Sequence, residues 1–202
     1  GTTGNDWNGS GWESGEVWLT AGGTTGAWQL PLPASALGDA SYTVRVRARD
    51  AVGNRESAKT GGFGFDNTAP TIETCEIVDD NGYTTNLTPP VHVSASAADS
   101  MRLGVVGPAD TAGLAWTAYV NESLLDVSSG GDDVKIVAVQ CKDTVGNRST
   151  WCVDTTVYDQ TRPVSRVTTA GTFNPASWPD TIRGTASDAT AGIDSVQVTV
   201  RL

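Results

Sequence analysis

Histidine and methionine each occur once and cysteine three times in this chain of 202 residues. No apolar run approaches the roughly 20 residues that span a bilayer, so membrane insertion is not expected. The one histidine, His92, sits between Val91 and Val93 in the alternation of a strand. A Ser–His–Asp reading would rest on this residue alone, and neither zinc spacing nor a phosphate-cradling glycine motif is present. The chain is therefore not expected to be an enzyme or to carry a cofactor. Basic residues are also scarce, with 13 Lys+Arg against 23 Asp+Glu and a formal charge of −10. Such a surface repels phosphate backbones and argues against a nucleic-acid partner. The opening GTTGNDWNGS lacks the charged and apolar regions of a signal peptide, so any export signal or anchor is expected outside this stretch. The Leu/Lys/Glu mixture of long helices is thin, whereas 23 Gly and 9 Pro fit an all-β protein.

What is present is a repeat. Tyr42 to Asn54, YTVRVRARDAVGN, returns as Lys135 to Asn147, KIVAVQCKDTVGN, 93 residues on and without a gap. Asp50 matches Asp143, Gly53-Asn54-Arg55 matches Gly146-Asn147-Arg148, Asp66 matches Asp159 and Pro70 matches Pro163. Tyr42, Val44, Val46 and Ala48 alternate with Thr43, Arg45, Arg47 and Arg49, the two-residue period of a half-buried strand. The Asp and the Gly-Asn pair that follow predict a hairpin tip, with a two-residue turn at Gly-Asn. The return strand ends in FDNTAP in one copy and YDQTRP in the other, where proline begins a short stiff linker.

The motif Y-x-V-x-V-x-A-x-D-x-V-G-N followed by F-D-N-T-A-P resembles the last two strands of the bacterial immunoglobulin-like domains that occur in tandem in large secreted and surface proteins. The resemblance implies tandem β-sandwiches at the cell surface or outside the cell. The second copy carries Lys135 where Tyr42 stands, so a corner-type tyrosine bond is not expected there. On this reading residues 1–70 are the last part of one sandwich and residues 71–163 a complete one. The complete copy has seven candidate strands: Ile72 to Val78, Val91 to Ala97, Met101 to Val106, Leu114 to Val120, Ser123 to Val127, Val134 to Lys142 and Trp151 to Tyr158. Residues 164–202 are the first part of another. The two partial domains are complementary, so the chain reads as one period of an alternating array, or as a unit completed by strand addition from the next. Leu202 should then meet Gly1 of the next unit, with Val196, Val198 and Val200 burying against Trp28, Val44 and Val46. Half a sandwich alone leaves an apolar face and open edges in water.

Several residues carry narrower expectations. A two-residue hairpin would set Cys141 opposite Cys152 and allow a bridge there. In the topology that the resemblance implies, Cys75 shares one end of the sandwich with both, so Cys75–Cys141 and Cys75–Cys152 compete. The longer closed loop favours a bridge involving Cys75. Trp7 and Trp12 could form a platform for sugars, or cover a loop while Trp18 and Trp28 serve as core residues. Asp66 and Asp159, before the linkers, are calcium candidates with Asp50, Asp143, Asp99 and Asp188 in loops nearby, although such residues more often cap turns. The pairs Asp79-Asp80 and Asp132-Asp133 read as solvated acids in Gly-rich turns. N-x-S/T sequons occur at Asn8, Asn86, Asn121 and Asn147. Ile136 and Ala138 occupy outward slots of their strand, where the first copy has Thr43 and Arg45, and so mark a packing face between domains or fibre strands. Together these features predict a structural extracellular repeat that builds a stalk, sheath or filament, with an adhesive or carbohydrate-binding module as the alternative. The partner is another copy of the chain, arranged head to tail.

Overall fold

The structure, a computed structural model, describes residues 4–24, 26–78, 81–106 and 113–201. Strands account for its regular structure; among the described residues there is one short 3-10 turn and no helix long and apolar enough to cross a membrane. The chain divides into two compact units, Gly1–Thr68 and Ala69–Leu202.

The first unit is a set of antiparallel ribbons. β1 (Asn5–Trp7) pairs with β2 (Trp12–Ser14), β3 (Gly22–Thr24) with β4 (Ala27–Gln29), and β5 (Ala40–Val46) with β6 (Lys59–Phe65). None of its described residues is buried. β6 is one reason: it sets Gly61, Gly62 and Gly64 opposite Val44, Thr43 and Ser41, so it offers almost no side-chain cover.

The second unit has a core. Its strands are β7 (Thr71–Ile77), β8 (Tyr83–Thr84), β9 (Pro90–Ser96), β10 (Ser100–Val106), β11 (Thr117–Ala118), β12 (Glu122–Leu124), β13 (Asp133–Lys142) and β14 (Cys152–Tyr158). They form a three-stranded sheet in the order β12-β9-β7 and a five-stranded sheet in the order β11-β10-β13-β14-β8. Ile77, Val91 and Val93 from the first meet Met101, Val137, Val139 and Cys141 from the second, with Leu103 and Val105 packed against them. Alternation places these side chains inward, and each fully buried Val or Met contributes about 1.5–3 kcal/mol relative to exposure. His92 lies on the other side of β9 from Val91 and Val93, between its cross-strand partners Glu76 and Glu122. β8, which pairs in parallel with β14, has no counterpart among the strands expected from sequence.

Beyond this layer β15 (Val164–Val167) and β16 (Gly184–Ser187) form a ribbon, and no described residue from 164 onward is buried. The ribbon repeats the outer end of β7–β9: Val164 faces Ser187 as Thr71 faces Ser96.

The repeat is structural in detail. β5–β6 and β13–β14 share one register, from Ala40↔Phe65 and Asp133↔Tyr158 to Val46↔Lys59 and Val139↔Cys152. The turn differs from the expected two-residue tip. Arg49 bridges Arg55 and Lys142 bridges Arg148, leaving the five residues 50–54 and 143–147 in the loop. Asp50 Oδ1 accepts the Val52 and Asn54 amides, while Asp143 Oδ1 accepts those of Val145, Gly146 and Asn147. Gly53 and Gly146 take φ of 102° and 101°, which disfavours any side chain. The longer loop moves Cys152 opposite Val139, so no Cys141–Cys152 hairpin bridge forms. The disulfide is Cys75–Cys152, joining β7 of one sheet to β14 of the other, and Cys141 is a buried free thiol.

Candidate functional site

Two hydrogen-bonded devices recur at the same offset in both copies. In the first, a side chain at the strand start reaches back four residues. Tyr42 Oη donates to the Gly38 carbonyl and accepts from its amide, both at 2.9 Å. At the matching position Lys135 Nζ donates to the Gly131 and Ser129 carbonyls, both at 2.6 Å, and lies 5.7 Å from the Tyr158 ring centre. The tyrosine bond is thus replaced by an ammonium one rather than lost. The second device clasps the linker. Asp39 accepts the Asn67 amide and the Thr68 hydroxyl, and Asp132 accepts the Gln160 amide and the Thr161 amide and hydroxyl. The Thr68 hydroxyl and then the Asn67 amide hold the Asp39 carboxyl below its usual range; the Thr161 hydroxyl and the Gln160 amide do the same for Asp132. Asp132 is therefore an engaged residue, not a solvated acid. The Gly-Asp pairs 38–39 and 131–132 were the sequence signal for it. Asp79 and Asp80 lie outside the described residues.

The open edge of β5 is the second feature of the site. Its interior-type residues Tyr42, Val44 and Val46 correspond to Lys135, Val137 and Val139, but none of the three is buried here. Along that face the rings of Trp7, Trp12, Tyr42 and Phe63 run in sequence, with centres 5.7, 5.5 and 5.2 Å apart. Trp7 and Trp12 face each other across β1–β2, and Trp12 Nε1 donates to the Ala36 carbonyl. Their planes differ by 60°, so the two do not make one flat platform. Trp18 instead packs against the arginines: its ring lies under Arg45 and Arg47, and Arg45 also pairs with Glu16. Trp28 is 53% exposed and Trp18 is half-buried, so neither is fully buried in this chain. In the second unit Val196, Val198 and Val200 are 59, 67 and 73% exposed and belong to no strand. Gly1 and Leu202, expected to meet across units, lie outside the described residues.

No protein-family model matches this chain, and no curated protein matches it.

The outer side of β10 and β13 carries a stack that sequence reading missed. Arg102 and Gln140 face each other across the strands, and Arg102 Nε and Nη2 both donate to Gln140 Oε1, at 3.1 and 2.7 Å. The Arg102 guanidinium also lies over Trp116 and Trp151, and Lys142 lies over Trp116. Gln140 Nε2 donates to the Ser149 carbonyl. These contacts occupy the outward positions 140 and 142 of β13, further along the strand from Ile136 and Ala138. Ala138 is 1% exposed, and Leu114 lies across Gly104, its neighbour in the sheet. Ile136 is half-buried. Ala138 is thus covered within its own unit and presents no packing surface.

The acidic residues are spread out. Asp66 accepts the Thr68 amide; Asp159 accepts the amides of Thr161 and Ala191, each at 2.9 Å. Asp188 accepts the Thr190, Ala191 and Gly192 amides, so the 188–192 loop is tied both to itself and to the linker before it. Asp159 and Asp188 line one open groove with Tyr83, Thr84 and Gln160. Among the described residues no group of three or more His, Cys, Asp or Glu is placed to hold a metal ion. Of the sequon asparagines, Asn8 donates its amide to Glu13 and Asn147 its amide to Asp143.

Proposed function

We propose that this chain is a structural extracellular repeat of immunoglobulin-like sandwiches, which builds a stalk, sheath or filament by head-to-tail completion of neighbouring units. The observation that carries this reading is where the core lies. The middle segment buries one, whereas the flanking segments, each built like a different part of that middle segment, bury no described residue up to Thr68 or from Val164 onward. Residues 1–70 supply the final hairpin and its linker clasp; residues 164–202 supply the opening ribbon and an alternating valine run. Two such parts make one sandwich, and a face left in water costs the burial that the middle segment gains. The Cys75–Cys152 bridge supports an oxidising compartment. A non-catalytic role is supported by the use of the loop carboxylates as backbone acceptors.

Sedimentation of the purified chain tests the reading. Mass should grow with concentration into linear oligomers, seen as rods by negative-stain microscopy. A chain that stays monomeric up to millimolar concentration overturns it. The alternative, a carbohydrate-binding module using Trp7 and Trp12, would instead be retained on insoluble polysaccharide as a monomer.

A further inference from the structure

Head-to-tail completion needs a definite strand and register, an assignment that rests on the proposed function. In the middle segment Asp99-Ser100 opens β10, whose Met101, Leu103 and Val105 face the core. Asp194-Ser195 opens the same pattern, with Val196, Val198 and Val200 at the equivalent steps. β10 pairs antiparallel with β13, from Ser100↔Lys142 through Arg102↔Gln140 to Val106↔Ile136. β13 corresponds residue for residue to the β5 region, whose edge away from β6 is unpaired among the described residues. We infer that Ser195–Arg201 adds as an antiparallel strand to the free edge of β5 in a second copy of this chain, with Ser195↔Arg49, Gln197↔Arg47, Thr199↔Arg45 and Arg201↔Thr43 on the outer face, and Val196↔Ala48, Val198↔Val46 and Val200↔Val44 facing inward.

Charge selects this register. The outward positions of β5 and the residues that continue it hold three arginines, Arg45, Arg47 and Arg49, and each meets a neutral side chain that can accept a hydrogen bond: Thr199, Gln197 or Ser195. The one cation of the incoming strand, Arg201, meets Thr43. Gln197 opposite Arg47 is the Arg102–Gln140 pair with its members exchanged between strands. A slip of two residues in one direction sets Arg201 against Arg45, a like-charge pair directly across the strands. A slip of one residue turns the valines outward. The occupant is a second copy because within one chain both partners stand open: Val198 and Val200 are exposed, and among the described residues β5 has only β6 beside it.

Cross-linking tests both partner and register. A Thr199→Cys chain mixed with an Arg45→Cys chain should give a disulfide heterodimer on mild oxidation. Mixed with Thr43→Cys or Arg47→Cys it should not, since a two-residue offset carries the Cα atoms beyond the roughly 7 Å that a disulfide spans. Because Arg45 also contacts Glu16 and Trp18, hydrogen exchange on the unmodified chain provides a second measure. Amides of 43–49 and 195–201 should gain protection together as concentration rises, and Val198→Asp should abolish the gain. Cross-linking that prefers Thr43 or Arg47 overturns the register while leaving strand completion standing. A monomeric disulfide in the Thr199→Cys/Arg45→Cys double variant, with no heterodimer from the mixture, overturns the second copy as partner. Absence of cross-links together with concentration-independent exchange overturns this inference and the proposed function together.

Discussion

At Lys135 the ammonium lies 2.6 Å from both the Ser129 and the Gly131 carbonyl oxygens, beneath a largely closed surface. Lys135→Met would leave those carbonyls without their donor and should cost about 1.5–3 kcal/mol in urea unfolding. Lys135→Tyr, whose hydroxyl can reach Gly131 as Tyr42 reaches Gly38, should recover most of that loss. A tyrosine variant no more stable than the methionine one would count against the equivalence. The loop and clasp carboxylates add a pH dependence. Burial opposes the charge of Asp143, but the Asn147 side chain and the amides of Asn147, Gly146 and Val145 outweigh it, leaving its carboxyl below the ordinary range. Asp132 is lowered as well. Carboxyls depressed in the folded state contribute fully above the unfolded value of about 3.9 and lose that contribution as pH falls through their lower folded values. The melting temperature should therefore be flat on their account down to about pH 4 and fall below it. Asp132→Asn should melt lower at pH 7 and show a shallower acid limb; an acid limb as steep as that of the parent would exclude the clasp as a source.

Among elements, β14 is held twice, by its ladder to β13 and by the Cys75–Cys152 bridge to β7. The bridge spans a sequence separation of 77. Replacing both cysteines with serine should cost about 2–5 kcal/mol, read by thermal unfolding with and without reductant. Cys141, on β13, is pushed up in pKa by burial and then by Glu73, so little thiolate is present. Iodoacetamide should leave it unmodified in the native protein and alkylate it within the unfolding transition; rapid native labelling would mean that the two sheets part readily. At the β10–β13 crossing, a Cβ on Gly104 would come within 2.3 Å of Leu114 Cδ2. Gly104→Ala should cost about 1–3 kcal/mol, and Leu114→Ala beside it should relieve the clash and make the pair non-additive.

For the whole molecule, the unequal core sets the expected behaviour. The middle segment should unfold cooperatively, while isolated residues 1–68 should show no sharp transition, because none of their described residues is buried. Mixing them with a chain that exposes residues 164–202 should restore cooperativity if the two parts complete each other. Strands of about 8–10 residues at roughly 3.3 Å each, plus a proline-stiffened linker, give on the order of 35–45 Å per domain. A fibre of these units should therefore show an axial repeat of roughly 70–90 Å, measured from the layer spacing in electron micrographs.

The chain by itself determined its β class, the 93-residue repeat and the position of each hairpin loop. These follow from local signals: two-residue alternation, an Asp that caps its own loop, and a glycine that alone tolerates positive φ. Tertiary structure decided which cysteines join. A five-residue loop, with a one-residue change of register between it and the ladder, moved Cys152 from Cys141 to Val139, and alternation alone cannot count residues in a turn. It also decided that Trp18 stacks on arginines, that Leu114 lies over Gly104 beside a buried Ala138, and that Asp132 grips a linker about 28 residues away. Each of these depends on a neighbour supplied from a distant stretch of chain, which no periodicity encodes.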